Sequence, residues 1–80
     1  MTLTKALMIR KTVIECALDK RLIDKEEDIR LNGDYTNDTI NTSIWMCKND
    51  ILVATTDVIT EEISITRHSR KEKYRYEEHI

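Results

Sequence analysis

The chain has 80 residues, of which 40% are hydrophobic and 35% charged, and its formal net charge is −2. That size fits one small domain, residues 1–80, whose fold buries only about two thirds of the surface the unfolded chain exposes. A slightly acidic balance excludes a broad electropositive surface for nucleic acid. Two cysteines, Cys16 and Cys47, with no Cys-x-x-Cys and no histidine at zinc spacing, exclude a disulfide framework or a zinc finger.

The first element is a helix. Leu3, Ala6, Leu7, Ile14, Ala17, Leu18 and Leu22 recur at spacings of three and four, the period of one helical face. Thr2 or Thr4 is placed to cap it. Met8, Ile9, Val13, Cys16 and Ile23 widen the apolar surface beyond that stripe. A marginal core and a helix too apolar for one sheet together predict self-association, with Met8, Ile9 and Val13 as the surplus in a homo-oligomer interface. Lys5, Arg10, Lys11, Glu15, Asp19, Lys20 and Arg21 break this region into short apolar runs. It therefore reads as neither a signal peptide nor a membrane span. A cytoplasmic protein with reduced thiols is expected.

After Ile23 the period changes. Asp24, Glu26, Glu27 and Asp28 form a charged link, to be read first as a solvated connection. Asn32-Gly33 favours the tight turn of a hairpin. Residues 28–39 superficially resemble a calcium loop, but Arg30 and Thr39 stand where oxygen ligands are required, so no metal is expected. A second hairpin is predicted across Asn49-Asp50, pairing Met46 with Val53 and Trp45 with Ala54. Thr60-Glu61-Glu62 then turns the chain into a further strand. The expected fold is α+β: an N-terminal amphipathic helix packed on a three- to five-stranded antiparallel meander.

Strand alternation assigns the faces. Trp45, Cys47, Leu52, Ala54, Thr56 and Val58 share one side of the main hairpin; Ile44, Met46, Ile51, Val53 and Ile59 share the other. One helix covers one face, so Ile44, Met46 and Val53 are the second predicted oligomer interface.

The chain closes on Arg67-His68-Ser69-Arg70-Lys71-Glu72-Lys73-Tyr74-Arg75-Tyr76, within a basic, tyrosine-containing edge or tail spanning residues 67–80. Arg67, Arg70, Lys71, Lys73, Tyr74, Arg75 and Tyr76 are the predicted partner-binding residues. Basic side chains that hold phosphates beside rings that stack on bases would suit a single-stranded RNA or DNA. Glu77 and Glu78 follow at once, which favours docking to protein.

No catalytic constellation is present in the sequence. One glycine cannot build a phosphate loop, His68 and His79 have no zinc-spaced partner, and Cys47 sits in a strand where burial makes a thiol inert. No cofactor and no enzyme activity are expected. The reading is a small non-enzymatic binding protein, an inhibitor or modulator that occupies the surface of a larger host or cellular protein. Zero Pro, zero Phe and one Gly give it a phage-like composition. The alternative is a single-stranded nucleic-acid binder using residues 67–76.

Overall fold

The computed structural model describes residues 2–70. One helix, α1 (Leu3–Asp19), precedes four strands: β1 (Arg30–Thr36), β2 (Ile40–Met46), β3 (Asp50–Asp57) and β4 (Ile63–Ser69). The strands form one antiparallel sheet in the order β1-β2-β3-β4. The expected α+β meander is therefore the observed fold, with four strands.

Both ends of α1 are specified by sequence. The Thr2 hydroxyl accepts a hydrogen bond from the Lys5 backbone N–H at 3.2 Å, satisfying one of the orphan donors of the first turn. At the other end Arg21 takes a left-handed φ of 59°. Its N–H donates to the Leu18 carbonyl and the Leu22 N–H to the Ala17 carbonyl, the paired bonds of a Schellman stop. That turn sends Leu22 and Ile23 back into the core, so the helix ends at Asp19 and not at Ile23.

The stripe that the helix buries shares Ile14 and Ala17 with the one its spacing suggested but is rotated towards Ile9 and Val13. Ile9, Val13, Ile14 and Ala17 are the buried residues of α1, whereas Leu3, Leu7 and Leu18 are exposed. Ile9 and Val13, predicted as interface surplus, are thus core residues; Met8 is half-buried. Apolar residues spread over more than half of the circumference fix the angle between two stripes but not which one meets the sheet. Here the sheet selects the stripe that fits against Trp45, Leu52 and Ala54, joined by Leu22, Ile23, Ile29 and Cys47, with Ile63 and Ile65 packed at the margin.

Two turns depart from expectation. Asn32-Gly33 makes no hairpin: both lie inside β1, where the register slips between Leu31 and Gly33. Gly33 has no positive φ, and its missing side chain instead leaves room for the Tyr35 ring, which a Cβ would meet at 3.0 Å. The first hairpin turns at residues 37–39, where the Asn37 carboxamide oxygen accepts from the Ile40 N–H at 3.1 Å. The Asn49-Asp50 hairpin is present, closed by the Cys47 N–H to the Asp50 carbonyl, but Met46 pairs with Ile51 and Ile44 with Val53. The pairing is displaced by two residues from the expected one. An even displacement leaves every side chain on its expected face.

The turn between β3 and β4 is organised by Asp57, whose carboxylate accepts from the N–H groups of Ile59 and Thr60 at 2.9 and 3.0 Å. Lys5 ties α1 to this turn, donating to the Val58 carbonyl at 2.7 Å and lying 3.5 Å from Glu61.

Candidate functional site

The face of the sheet turned away from α1 is built by register. Across β2 and β3, Met46 pairs with Ile51, Ile44 with Val53, Thr42 with Thr55 and Ile40 with Asp57. β1 adds Arg30 beside Met46 and Tyr35 beside Thr42; β4 adds His68 beside Ile51, Thr66 beside Val53 and Ser64 beside Thr55. Ile44, Met46 and Val53 are half-buried and Ile51 is buried. The result is an apolar centre ringed by hydroxyls, with Tyr35, Arg30 and His68 on the rim. Among the described residues no helix lies over this face. The three sheet residues predicted for an interface, Ile44, Met46 and Val53, are thus brought together on it, while Ile9 and Val13 lie beneath α1.

Tyr35 was missed by sequence reasoning. The Asn-Gly pair suggested a turn, which hid the alternation that puts Tyr35 beside Thr42 on the same face as Ile44.

On the other face a groove of about 150 Å³ separates α1 from β1, with Leu7, Arg10, Leu31 and Asp34 at its walls and Trp45 on its floor. Leu7 and Leu31 remain 56% and 46% exposed there. The floor is polar as well as apolar: the Trp45 indole N–H donates to the Ser43 hydroxyl at 2.9 Å. Buried Asn41 donates through Nδ2 to the Asp34 carboxylate at 2.6 Å and the Thr36 hydroxyl at 2.9 Å. These side-chain bonds hold the edge strand β1 to β2.

Of the predicted basic segment, only Arg67 and Arg70 fall among the described residues. Lys71, Lys73, Tyr74, Arg75 and Tyr76 lie outside them, as do all residues from 71 to 80. Both described arginines have structural partners. Arg67 donates to the Asp50 carboxylate at 2.9 Å, and Arg70 donates to the carbonyls of Cys47 and Lys48, each at 3.1 Å.

The acidic link is similarly occupied. Lys48 lies 2.7 Å from the Asp24 carboxylate and 3.7 Å from that of Asp28, and Arg10 lies 3.8 Å from Glu26. The hydrogen bond and charge of Lys48 draw the Asp24 carboxyl below its ordinary value, and Asp24 raises Lys48 in return. The Asp28 carboxylate also accepts from the N–H groups of Asp24 and Lys25. Residues 28–39 form no loop: most of them are strand β1, and among the described residues no cluster of His, Cys, Asp and Glu is arranged to hold a metal ion.

Cys47 is buried at the end of β2. Desolvation, followed by the nearby carboxylate of Asp50, pushes its thiol above the ordinary value. A thiol so held is protonated and a poor nucleophile at neutral pH. No described helix is long and apolar enough to cross a membrane. Comparison with family models, with curated proteins and with solved structures finds no match for this chain.

Proposed function

We propose that this chain is a non-enzymatic binding module, an inhibitor or modulator that works by occupying the surface of a larger host or cellular protein in the cytoplasm. The observation that supports the reading is the sheet face around Ile44, Met46 and Val53. An apolar centre with a rim of Thr42, Thr55 and Thr66, an exposed tyrosine and an arginine has the composition of a protein interface, in which aromatic and arginine residues are enriched and lysine and acidic residues depleted. Two carboxylates fall on that face by register, both at its β3–β4 turn end: Asp57, whose oxygen is engaged by backbone N–H groups, and Glu62, which pairs with it.

The test compares the intact chain with Val53→Lys as baits in nuclease-treated lysate, followed by binding measurements on the isolated partner. A lysine at Val53 adds an unpaired charge to the centre of the face, while the core beneath α1 is untouched. The expected result is a protein partner held by the intact chain and lost by the variant. Equal affinity of the partner for both would place binding elsewhere on the molecule, and capture abolished by nuclease would replace the reading with nucleic-acid binding.

A further inference from the structure

The two edges of the sheet differ in a way that points to a second copy of this chain. β1 carries a register slip between Leu31 and Gly33, a device that breaks the regular row of N–H and C=O groups and discourages pairing. β4 has none: Ile63 to Ser69 run in unbroken register against Thr56 to Asp50.

The hydrogen-bond parity of β4 follows from its two ends. The Arg70 N–H donates to the Asn49 carbonyl and the Asp57 N–H to the Glu62 carbonyl. Bonded pairs alternate along an antiparallel ladder, so His68, Thr66 and Ser64 direct their backbone groups inward to Ile51, Val53 and Thr55. Ile63, Ile65 and Arg67 direct theirs outward, to the edge of the sheet, where no strand among the described residues pairs with them. The side chains of Ile63 and Ile65 lie on the α1 face, half-buried at the margin of the core.

We propose that this edge pairs with itself, β4 against β4 of a second copy, antiparallel and centred on Ile65, joining the two sheets into one of eight strands. With the two-fold axis at Ile65, Ile63 bonds to Arg67 of the second copy and Ile65 to its counterpart. Three bonded pairs, each exchanging two bonds, give about six backbone hydrogen bonds. On the α1 face Ile65 meets Ile65, and Ile63 lies along the aliphatic stem of Arg67. On the opposite face Ser64 meets Thr66, and Glu62 meets His68, at the closer, non-bonded positions of the ladder. Every pair recurs by symmetry, as an isologous contact requires.

Centring the pairing on Thr66 instead sets Ile65 against Arg67 and Glu62 against Arg70. It loses the isoleucine contact, and Arg70 is already bonded to the carbonyls of Cys47 and Lys48. A net charge of only −2 puts little repulsion between two copies.

The test is sedimentation of the full chain and three sets of variants. Ile65→Pro removes an outward N–H that β3 does not use, so it leaves the internal ladder whole; it should give a monomer with the circular dichroism of the parent. Glu62→Arg and His68→Glu should each weaken the dimer about tenfold, since each disturbs two symmetric cross-strand pairs. Combining them sets opposite charges across the same two pairs and should recover most of the loss, a result independent of how well the proline variant folds. A monomeric parent at high micromolar concentration, a folded Ile65→Pro dimer, or a double variant no tighter than its singles would each overturn the pairing. So would a dimer abolished by Val53→Lys and indifferent to all three changes, because that result moves the contact to the sheet face.

Discussion

Asn41 and Thr56 face each other across β2 and β3, both almost completely buried, and the Asn41 Oδ1 and the Thr56 hydroxyl each lack a hydrogen-bond partner. Their situations are otherwise unlike. Asn41 uses its other amide end to hold Asp34 and Thr36 of β1, whereas the Thr56 hydroxyl bonds to nothing. An unmade buried hydrogen bond costs its desolvation without return. Thr56→Val, which keeps the shape and removes the hydroxyl, should therefore be neutral or stabilise by up to about 1 kcal/mol. Asn41→Ala should destabilise by about 1–2 kcal/mol, by removing the bonds that tie Asp34 and Thr36 of β1 to β2. Urea denaturation measures both; a Thr56→Val variant markedly less stable than the parent would show that the hydroxyl has a partner after all.

A second prediction concerns the helix stop. Arg21 holds a left-handed φ of 59° at the position where a Schellman turn favours glycine. An L side chain there costs about 1–2 kcal/mol relative to a conformation it prefers. Arg21→Gly should stabilise the fold by about 1 kcal/mol, the relief exceeding the extra chain entropy of glycine. No ion pair involving Arg21 opposes the gain among the described residues. A thermal midpoint that falls on substitution would mean the arginine side chain supplies something its geometry does not reveal.

The sequence made the architecture readable wherever a local pattern has one structural meaning. The Asn49-Asp50 turn between β-branched runs yields one hairpin, and although its register lies two residues from the expected one, alternation still sorted Ile44, Met46 and Val53 from Trp45, Leu52 and Ala54. Asn32-Gly33 failed because a turn dipeptide does not know whether its flanks can pair. Residues 30–36 found a better partner in β2, with the Asp34 and Thr36 side chains tied to Asn41. Ile9 and Val13 were misassigned for a different reason: rotation of a helix about its own axis is set by tertiary fit, which periodicity alone does not contain. The Arg67 and Arg70 partners were also illegible, since Asp50 and the carbonyls of Cys47 and Lys48 approach only once β3 and β4 are paired.

The two cysteines should differ sharply in reactivity. Cys47 is buried with its thiol pushed up by desolvation, while Cys16 is half-buried on α1. In the native protein near pH 8, alkylation should modify Cys16 at least about tenfold faster than Cys47, and both should react alike in denaturant. Cys47→Ala should cost stability by lost packing alone and leave partner binding unchanged. Preferential labelling of Cys47 in the folded chain would contradict its placement in the core and reopen a chemical role for it.

Acid should open the turn between β3 and β4 through Asp57. Its carboxylate is held below the ordinary value chiefly by the Thr60 and Ile59 N–H groups, against a smaller opposing effect of burial. A carboxyl whose folded pKa is depressed contributes stability that is present above the unfolded value of about 3.9 and is lost as pH falls through the folded value. The turn should therefore hold unchanged from neutrality to about pH 4 and loosen below it. Ile59 is 76% exposed, so no packing holds its amide in place once the carboxylate is protonated. The Ile59 and Thr60 amide resonances should then move together with a single titration midpoint below that of an unperturbed aspartate. Asp57→Asn separates charge from geometry, because an amide oxygen still accepts both N–H groups but does not titrate over this range. In that variant the two amides should stay put in acid while the turn persists. Should they shift in acid just as they do in the parent, the transition belongs to another carboxylate, with Glu61 beside Lys5 the nearest to the turn.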